Sequence, residues 1–369
     1  MARSLKSRGF DTTTSPIYAY AEYTYLGSGS IVKIAHPQVT GGLTLNYGDA
    51  TGSPAGWDRF GRVIDHKWGS DADANKLDRF QHTYDNVSRR LTSDRTYTGA
   101  PTNRDEQYTY DNLHRLRNMK RGTLSGGAIA NNQSTLQIDW NALDALGNWR
   151  SWRWDLNGGN PAYITQGRLH NKANEIDVNN NDADAAGASI IQTGGSGSTM
   201  NWQDPTYDKT GNMKSGPRPG AETTAASNLV TTYDAWNRLV TVKSGSGGTT
   251  TLAEYQFDGM HQRVVKLKPN GANWDRVDYY YNGAGQVLEE RTATALANKT
   301  TVATVPKYQW VWDLRYQDAP ILRDENKDAD GDCIDGTDVR LYYVQDANWN
   351  TTALITTAGA VAERYAYNP

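Results

Sequence analysis

The chain has 369 residues, with 38 Lys and Arg against 41 Asp and Glu and a formal charge of −3, so it lacks the clustered basic surplus that marks nucleic-acid binders. Leu, Ile, Val and Phe make up only about 16% of it, but 22 Tyr and 12 Trp add large rings; without high net charge this is not a disordered composition, and it predicts a thin core built from aromatics. No run approaches 18 apolar residues, which excludes a membrane-spanning helix, and the single Cys333 excludes an internal disulfide and a thiolate zinc site.

Residues 1–56 read as divergent repeats or a cap. They open on a basic segment from Met1 to Gly9 that no apolar stretch follows, so no secretory signal peptide is expected.

Residues 57–305 repeat one short frame. It is plainest in Tyr84-Asp85-Asn86-Val87-Ser88-Arg89, Tyr110-Asp111-Asn112-Leu113-His114-Arg115 and Tyr233-Asp234-Ala235-Trp236-Asn237-Arg238. Variants lead with Trp57-Asp58, Tyr207-Asp208, Phe257-Asp258 and Tyr281-Asn282, and weaker copies with Asp144 and Asn171. Clear neighbours lie about 24 to 27 residues apart, the size of one supersecondary unit in a repeat protein. Asp or Asn at the head of the frame folds its side chain onto nearby backbone amides, as in a β-turn. Three residues later stand Gly61, Ser88, His114, Gly147, Asn174, Gly211, Asn237, His261 and Gly285, mostly types that tolerate positive φ. Strand-like runs such as Leu239 to Val242 and Val264 to Leu267 follow the turns. The spacing therefore predicts antiparallel hairpins in one continuous sheet that coils on itself, with very low helix content. Gly-, Ser- and Asn-rich stretches at Gly122 to Ser134, Asn179 to Ser198, Ser215 to Asn228 and Ser244 to Thr250 read as return loops. The Arg that ends many frames is expected to tether neighbouring units by stacking on their rings.

Within this region the densest aromatic run is Trp149-Arg150-Ser151-Trp152-Arg153-Trp154. Trp152 and Trp154 share one face of a strand. Two readings stand: exposed rings that stack on the sugars of a cell-surface glycan, or a packed cation–π ladder between strands.

Residues 306–369 look like later repeats with an acidic loop at 324–335. There Asn326, Asp328, Asp330 and Asp332 alternate around Gly331, as in the first half of a calcium loop, although Thr337 stands where the twelfth-position Glu would be. The other reading is a solvated acidic hairpin tip. No other cofactor is expected. The six His show no zinc spacing, no Gly-x-Ser-x-Gly elbow occurs, and Gly194 to Ser198 reads as a flexible loop, so no enzyme is expected.

The Tyr-Asp frame resembles the rearrangement-hotspot (RHS), or YD-repeat, family. The pattern covers residues 57–290 and extends through Trp310 to Tyr316, Leu341 to Asn350 and Glu363 to Pro369. The resemblance implies an all-β fold of antiparallel hairpin repeats wound into a spiral sheet, a hollow shell or an open arc of one. Such shells serve bacterial polymorphic toxins, insecticidal toxin complexes and animal teneurins. The function it implies is a non-catalytic scaffold, secreted or surface-displayed, that encloses or presents a C-terminal toxin or effector on the same or a companion polypeptide. The chain is expected to end before the family's core domain. The frame residues carrying this reading are Asp58, Gly61, Tyr84, Asp85, Tyr110, Asp111, Tyr207, Asp208, Gly211, Tyr233, Asp234, Asn237, Phe257, Asp258, Asn282 and Gly285. An adhesive or carbohydrate-binding module using Trp149, Trp152 and Trp154 is the second expectation.

Overall fold

Ala19–Leu26 shows how the sequence writes its strands. Ala21, Tyr23 and Tyr25 are buried while the residues between them are half-exposed, the two-residue period of a sheet with one face covered. The computed structural model describes residues 3–8, 19–26, 29–47, 55–70, 76–97, 102–130, 134–155, 163–176, 189–194 and 198–368. Every described strand pairs antiparallel with its neighbours in sequence, giving a 14-stranded sheet from Arg3–Arg8 to Thr199–Asn201 and a 13-stranded sheet from Thr206–Tyr207 to Val361–Arg364. Neither closes into a barrel. The single helical element among the described residues is a 3-10 turn, Ala225–Ser227.

The sheet is thus all-β, as expected, but divided in two. The ladder breaks between Asn201 and Thr206, where Pro205 has no amide to give to a neighbour. The chain there is held by side chains instead: buried Asp204 accepts from the Ser189 amide at 2.7 Å and the Ser189 hydroxyl at 3.1 Å. A second difference falls in the stretch read as a loop from Asn179 to Ser198. Ile190–Thr193 is a strand paired with Ile164–Arg168; residues 179–188 and 195–197 of that stretch lie outside the described residues.

The apolar residues are not spread evenly along this wall. Most of the buried ones meet in one cluster that joins both ends of the chain: Tyr23, Ile34, Leu43, Leu45 and Trp68 from the first sheet pack against Leu322, Tyr342, Val344, Ala353 and Ile355 from the second. Polar bonds cross the same seam. Trp68 Nε1 donates to the Gln345 carbonyl at 2.8 Å, Tyr23 Oη to Asp313 at 3.0 Å, and Thr352 Oγ1 to buried Asp78 at 2.7 Å. The Thr40 amide meets the Thr357 carbonyl at 2.8 Å. A thin, ring-built core was the expectation from composition. The seam instead uses Leu, Ile and Val beside the rings, because a face covered by a second layer excludes water and rewards aliphatic area at about 25 cal/mol per Å².

A smaller cluster of Met119, Leu136 and Ile138 lies under Tyr108, Trp140, Trp152 and Trp154. From residue 199 to 300 the wall is barely buried. Ala253, Val265 and Leu267 are the buried apolar side chains described there.

Candidate functional site

The repeated frame folds the same way each time, and its geometry follows from its residues. The head carboxylate or amide oxygen accepts the backbone amides two and four residues ahead, as Asp85 does from Val87 at 3.0 Å and Arg89 at 2.8 Å. The same pair of bonds forms at Asp58, Asp111, Asp144, Asn171, Asp208, Asp234, Asp258 and Asn282. The backbone then reverses through the slot three residues on, where φ lies between +60° and +89° in all nine frames. Gly61, Gly147, Gly211 and Gly285 take this left-handed conformation freely, and Asn174, Asn237, His114 and His261 are among the side chains that tolerate it.

A closing Arg then works in two directions. Its Nε binds its own head carboxylate at 2.5 to 2.7 Å in Arg62, Arg89, Arg115 and Arg238. Its Nη1 donates to the backbone carbonyl of the next unit's head residue: Arg62 to Asp85 at 2.9 Å, Arg115 to Asp144 at 2.6 Å and Arg238 to Asp258 at 2.7 Å. The same guanidinium lies over the next unit's leading ring, with Arg62 4.8 Å from the Tyr84 centroid, Arg89 5.0 Å from Tyr110 and Arg238 5.0 Å from Phe257. The leading Tyr reaches back in turn. Tyr84 donates to the Val63 carbonyl, Tyr110 to Arg90 and Tyr281 to Arg263, each at 2.8 Å. The units headed by Asp58, Asp85 and Asp111 are therefore clasped to one another from both sides. Where Asn closes the frame it still reaches on, as Asn212 does to Asn237 at 2.9 Å, but it brings no charge and no stack.

These bonds hold the carboxylates of Asp58, Asp85, Asp111, Asp144, Asp208 and Asp234 below their ordinary range. At Asp111 the Arg115 amide is the main cause, and at Asp208 it is the Thr210 hydroxyl followed by the Asn212 side chain. The third frame position points outward, so Phe60, Leu113, Leu146, Trp236 and Met260 stand exposed at the turns.

A later repeat expected at Leu341 to Asn350 forms the same turn. Asp346 accepts the amides of Asn348 and Asn350 at 2.8 and 3.0 Å, and Trp349 occupies the positive-φ slot at +66°. A Trp there is strained. It is held by stacking on Tyr316, 5.1 Å away and 9° from parallel.

The Trp149–Asp155 strand departs from the sugar-platform reading. Trp149, Trp152 and Trp154 are all half-buried, and Trp152 and Trp154 pack on the Met119 cluster. Trp152 stands edge-on to Trp149 at 5.6 Å and stacked with Trp154 at 5.7 Å, Arg168 lies 3.6 Å over Trp149, and Arg153 pairs with Asp139. This packing is that of the cation–π ladder between strands, the other of the two readings.

The acidic loop regroups as well. Oxygens of Asp328, Asp330 and Asp335 lie within 4.8 Å of one another, all exposed; among the described residues this is the one His, Cys, Asp and Glu group at metal-holding distances. Asn326 is buried and accepts the Ala329 amide, while Asp332 accepts the Ile334 amide and is not part of the group. Thr337 Oγ1 bridges Asp328 and Asp335 at 2.7 Å each. A hydrogen bond from the Asp332 amide favours the Asp330 carboxylate, but partial desolvation and the charges of Asp328, Asp332 and Asp335 outweigh it, and its pKa rises.

Three buried histidines line the seam. His36 stacks on Trp68 at 5.7 Å, and His66 stacks on Phe80 at 5.1 Å and lies 6.1 Å from His82. Burial lowers His36 and His66 to about 4 each, and burial with the charge of Arg90 lowers His82 further.

The wall is similar in fold to solved toxin chains. A crystal structure of TcdB2-TccC3-TEV superposes with a TM-score of 0.64 over 98% of this chain at 14% identity, and one of TcdB2-TccC3-Cdc42 with 0.60 over 99% at 12%. The Photorhabdus luminescens Tc holotoxin pore carrying a mutated TccC3 gives 0.54 over 99% at 14%. No protein-family model matches the sequence and no curated protein matches it significantly. This chain spans only 16 to 17% of the length of those solved chains, and at these identities the likeness is one of fold: the antiparallel β wall is shared with a part of the TcdB2-TccC3 chains.

Proposed function

We propose that this chain is a non-catalytic segment of an RHS/YD-repeat shell, which acts outside the cell by enclosing or presenting a C-terminal effector on the same or a companion polypeptide. The observation that carries this reading is the two-way clasp. Arg62, Arg89, Arg115 and Arg238 each spend their donors on their own turn and the next one, so the recurrent polar groups are consumed in building a wall. Structure of this kind is nearest-neighbour in its energetics and extends by adding units. The apolar residues exposed at the turns, Phe60, Leu113, Leu146, Trp236 and Met260, support contact with further polypeptide along that edge.

The test is protection. The chain is co-expressed with the polypeptide encoded directly downstream, and limited proteolysis follows the downstream domain alone and in the complex. Strong protection, together with small-angle scattering from a hollow particle, is expected. Equal cleavage rates in both samples would remove the proposal.

A further inference from the structure

Where the two sheets meet, a half-open cavity of about 400 Å³ lies between them. Phe80, His82, Arg90, Ser93, Arg95 and Glu106 line one side. Their convergence follows from strand register: Phe80 opposes Arg95, His82 opposes Ser93 and Ser93 opposes Glu106, and opposed residues share a face. The other side is the end of the chain, the Asp346 turn and residues 365–368.

The polar groups of this cavity are unevenly satisfied. Its carboxylates are engaged: Glu106 accepts from Arg121 Nε at 3.0 Å and Nη2 at 2.7 Å, and Asp346 accepts from the amides of its own turn and from the Asn350 side chain. Its donors are not. Arg90 Nε, Arg95 Nε and both ring nitrogens of His82 are buried without a hydrogen-bond partner, and His82 is only 5% exposed. The Thr92 backbone favours a proton on His82 weakly but does not reach hydrogen-bonding geometry. Both guanidinium groups are held in place, Arg95 by Phe80 at 4.6 Å and Asp78 at 3.7 Å, and Arg90 by Asn348 at 3.4 Å. Buried donors are normally paired; Arg95 has Asp78 on one side, but its Nε, the Nε of Arg90 and the His82 ring are left without an acceptor, and two guanidinium groups lining one cavity favour an acceptor that carries charge.

The geometry points to a binding site for a small oxyanion, a carboxylate or phosphate group held between Arg90, Arg95 and the His82 ring, with Phe80 and Tyr108 against the body that carries it. Both sheets contribute to the site, so its occupant would bind the two ends of the chain together. This goes beyond the shell reading and stands whether or not the chain encloses anything.

Isothermal titration of the full chain with inorganic phosphate, and separately with succinate, is run against chloride at matched ionic strength. Saturable one-site binding of either anion is expected, with a rise in melting temperature. Binding of phosphate alone names a phosphate ligand, and binding of succinate alone a carboxylate. Arg90→Gln is expected to weaken binding about tenfold or more, since a charge-assisted bond is lost. Should that variant not fold, histidine ring-nitrogen resonances of the unaltered chain decide: those of His82 move on saturation and those of exposed His261 stay. No binding above chloride, equal shifts at both rings, or undiminished binding by folded Arg90→Gln would each overturn the site and leave a cavity filled with water.

Discussion

The seam and the arc from residue 199 to 300 are built from the same hairpins by different forces. In the seam two layers face each other, and Trp68, Leu322, Tyr342 and Ile355 are almost wholly buried. In the arc one layer stands alone, and its cohesion lies in local bonds such as those of Arg238 to Asp234 and Asp258. A repeat chain can therefore be held everywhere by its turns and still owe its closure to one place where distant strands overlap.

Acid should separate the two regions most strongly. His36 and His66 take up a proton near pH 6.5 when unfolded but only near pH 4 when folded. The stability of burying them neutral is complete above pH 6.5, is lost as pH falls towards 4, and is worth about 3 kcal/mol for each ring. The turn carboxylates lose their contribution in the same direction, on acidification, but in a lower pH window. Asp111 and Asp208 are lowered from 3.8, so their contribution persists until pH falls below that value. Hydrogen exchange at pH 5 is expected to show Leu341 to Ala353 opening while Leu229 to Gln286 stays protected. Parallel loss of protection in both segments between pH 7 and 5 would refute the distinction.

Truncation gives the next largest contrast. Trp68→Ala removes a ring that is 1% exposed, with its bond to Gln345, and should cost about 3–5 kcal/mol in urea unfolding. Val242→Ala, half-buried on the arc, should cost about 1 kcal/mol or less. Similar costs at the two sites would mean that the arc has a covered face after all.

Within the arc, Arg238→Lys should lower stability by about 1–2 kcal/mol, because an ammonium cannot bind Asp234, bind the Asp258 carbonyl and stack on Phe257 at once. An unchanged urea midpoint would show that the forward clasp contributes nothing. The smallest effect is expected at the turn slot. Asn237→Ala, at φ +60°, should cost about 1 kcal/mol and Asn237→Gly close to nothing. The reverse order of melting temperatures would place the strain elsewhere.

How much of this could be read in advance depended on distance along the chain. The turns were legible because the Asp85 carboxylate bonds only to residues two and four ahead, so the motif is the structure. The Trp149 to Trp154 run was legible as a strand but not as a face, since alternation fixes which rings lie together and says nothing of what covers them. The acidic loop was legible only in part, for a similar reason. Alternating oxygens suggested Asn326 with Asp332, while the fold turned Asn326 inward and brought Asp335 to Asp328 and Asp330.

Hairpin character, turn chemistry and the scarcity of aliphatic residues are local or additive properties, and the amino-acid order determined them alone. That the few Leu, Ile and Val residues gather where the first strands meet the last was decided by the coil. Tyr23 and Asp313 are 290 positions apart, and no periodicity or average hydropathy carries information over such a separation. Only burial between two layers selects which strands meet, and with them the cavity of Arg90, Arg95 and His82.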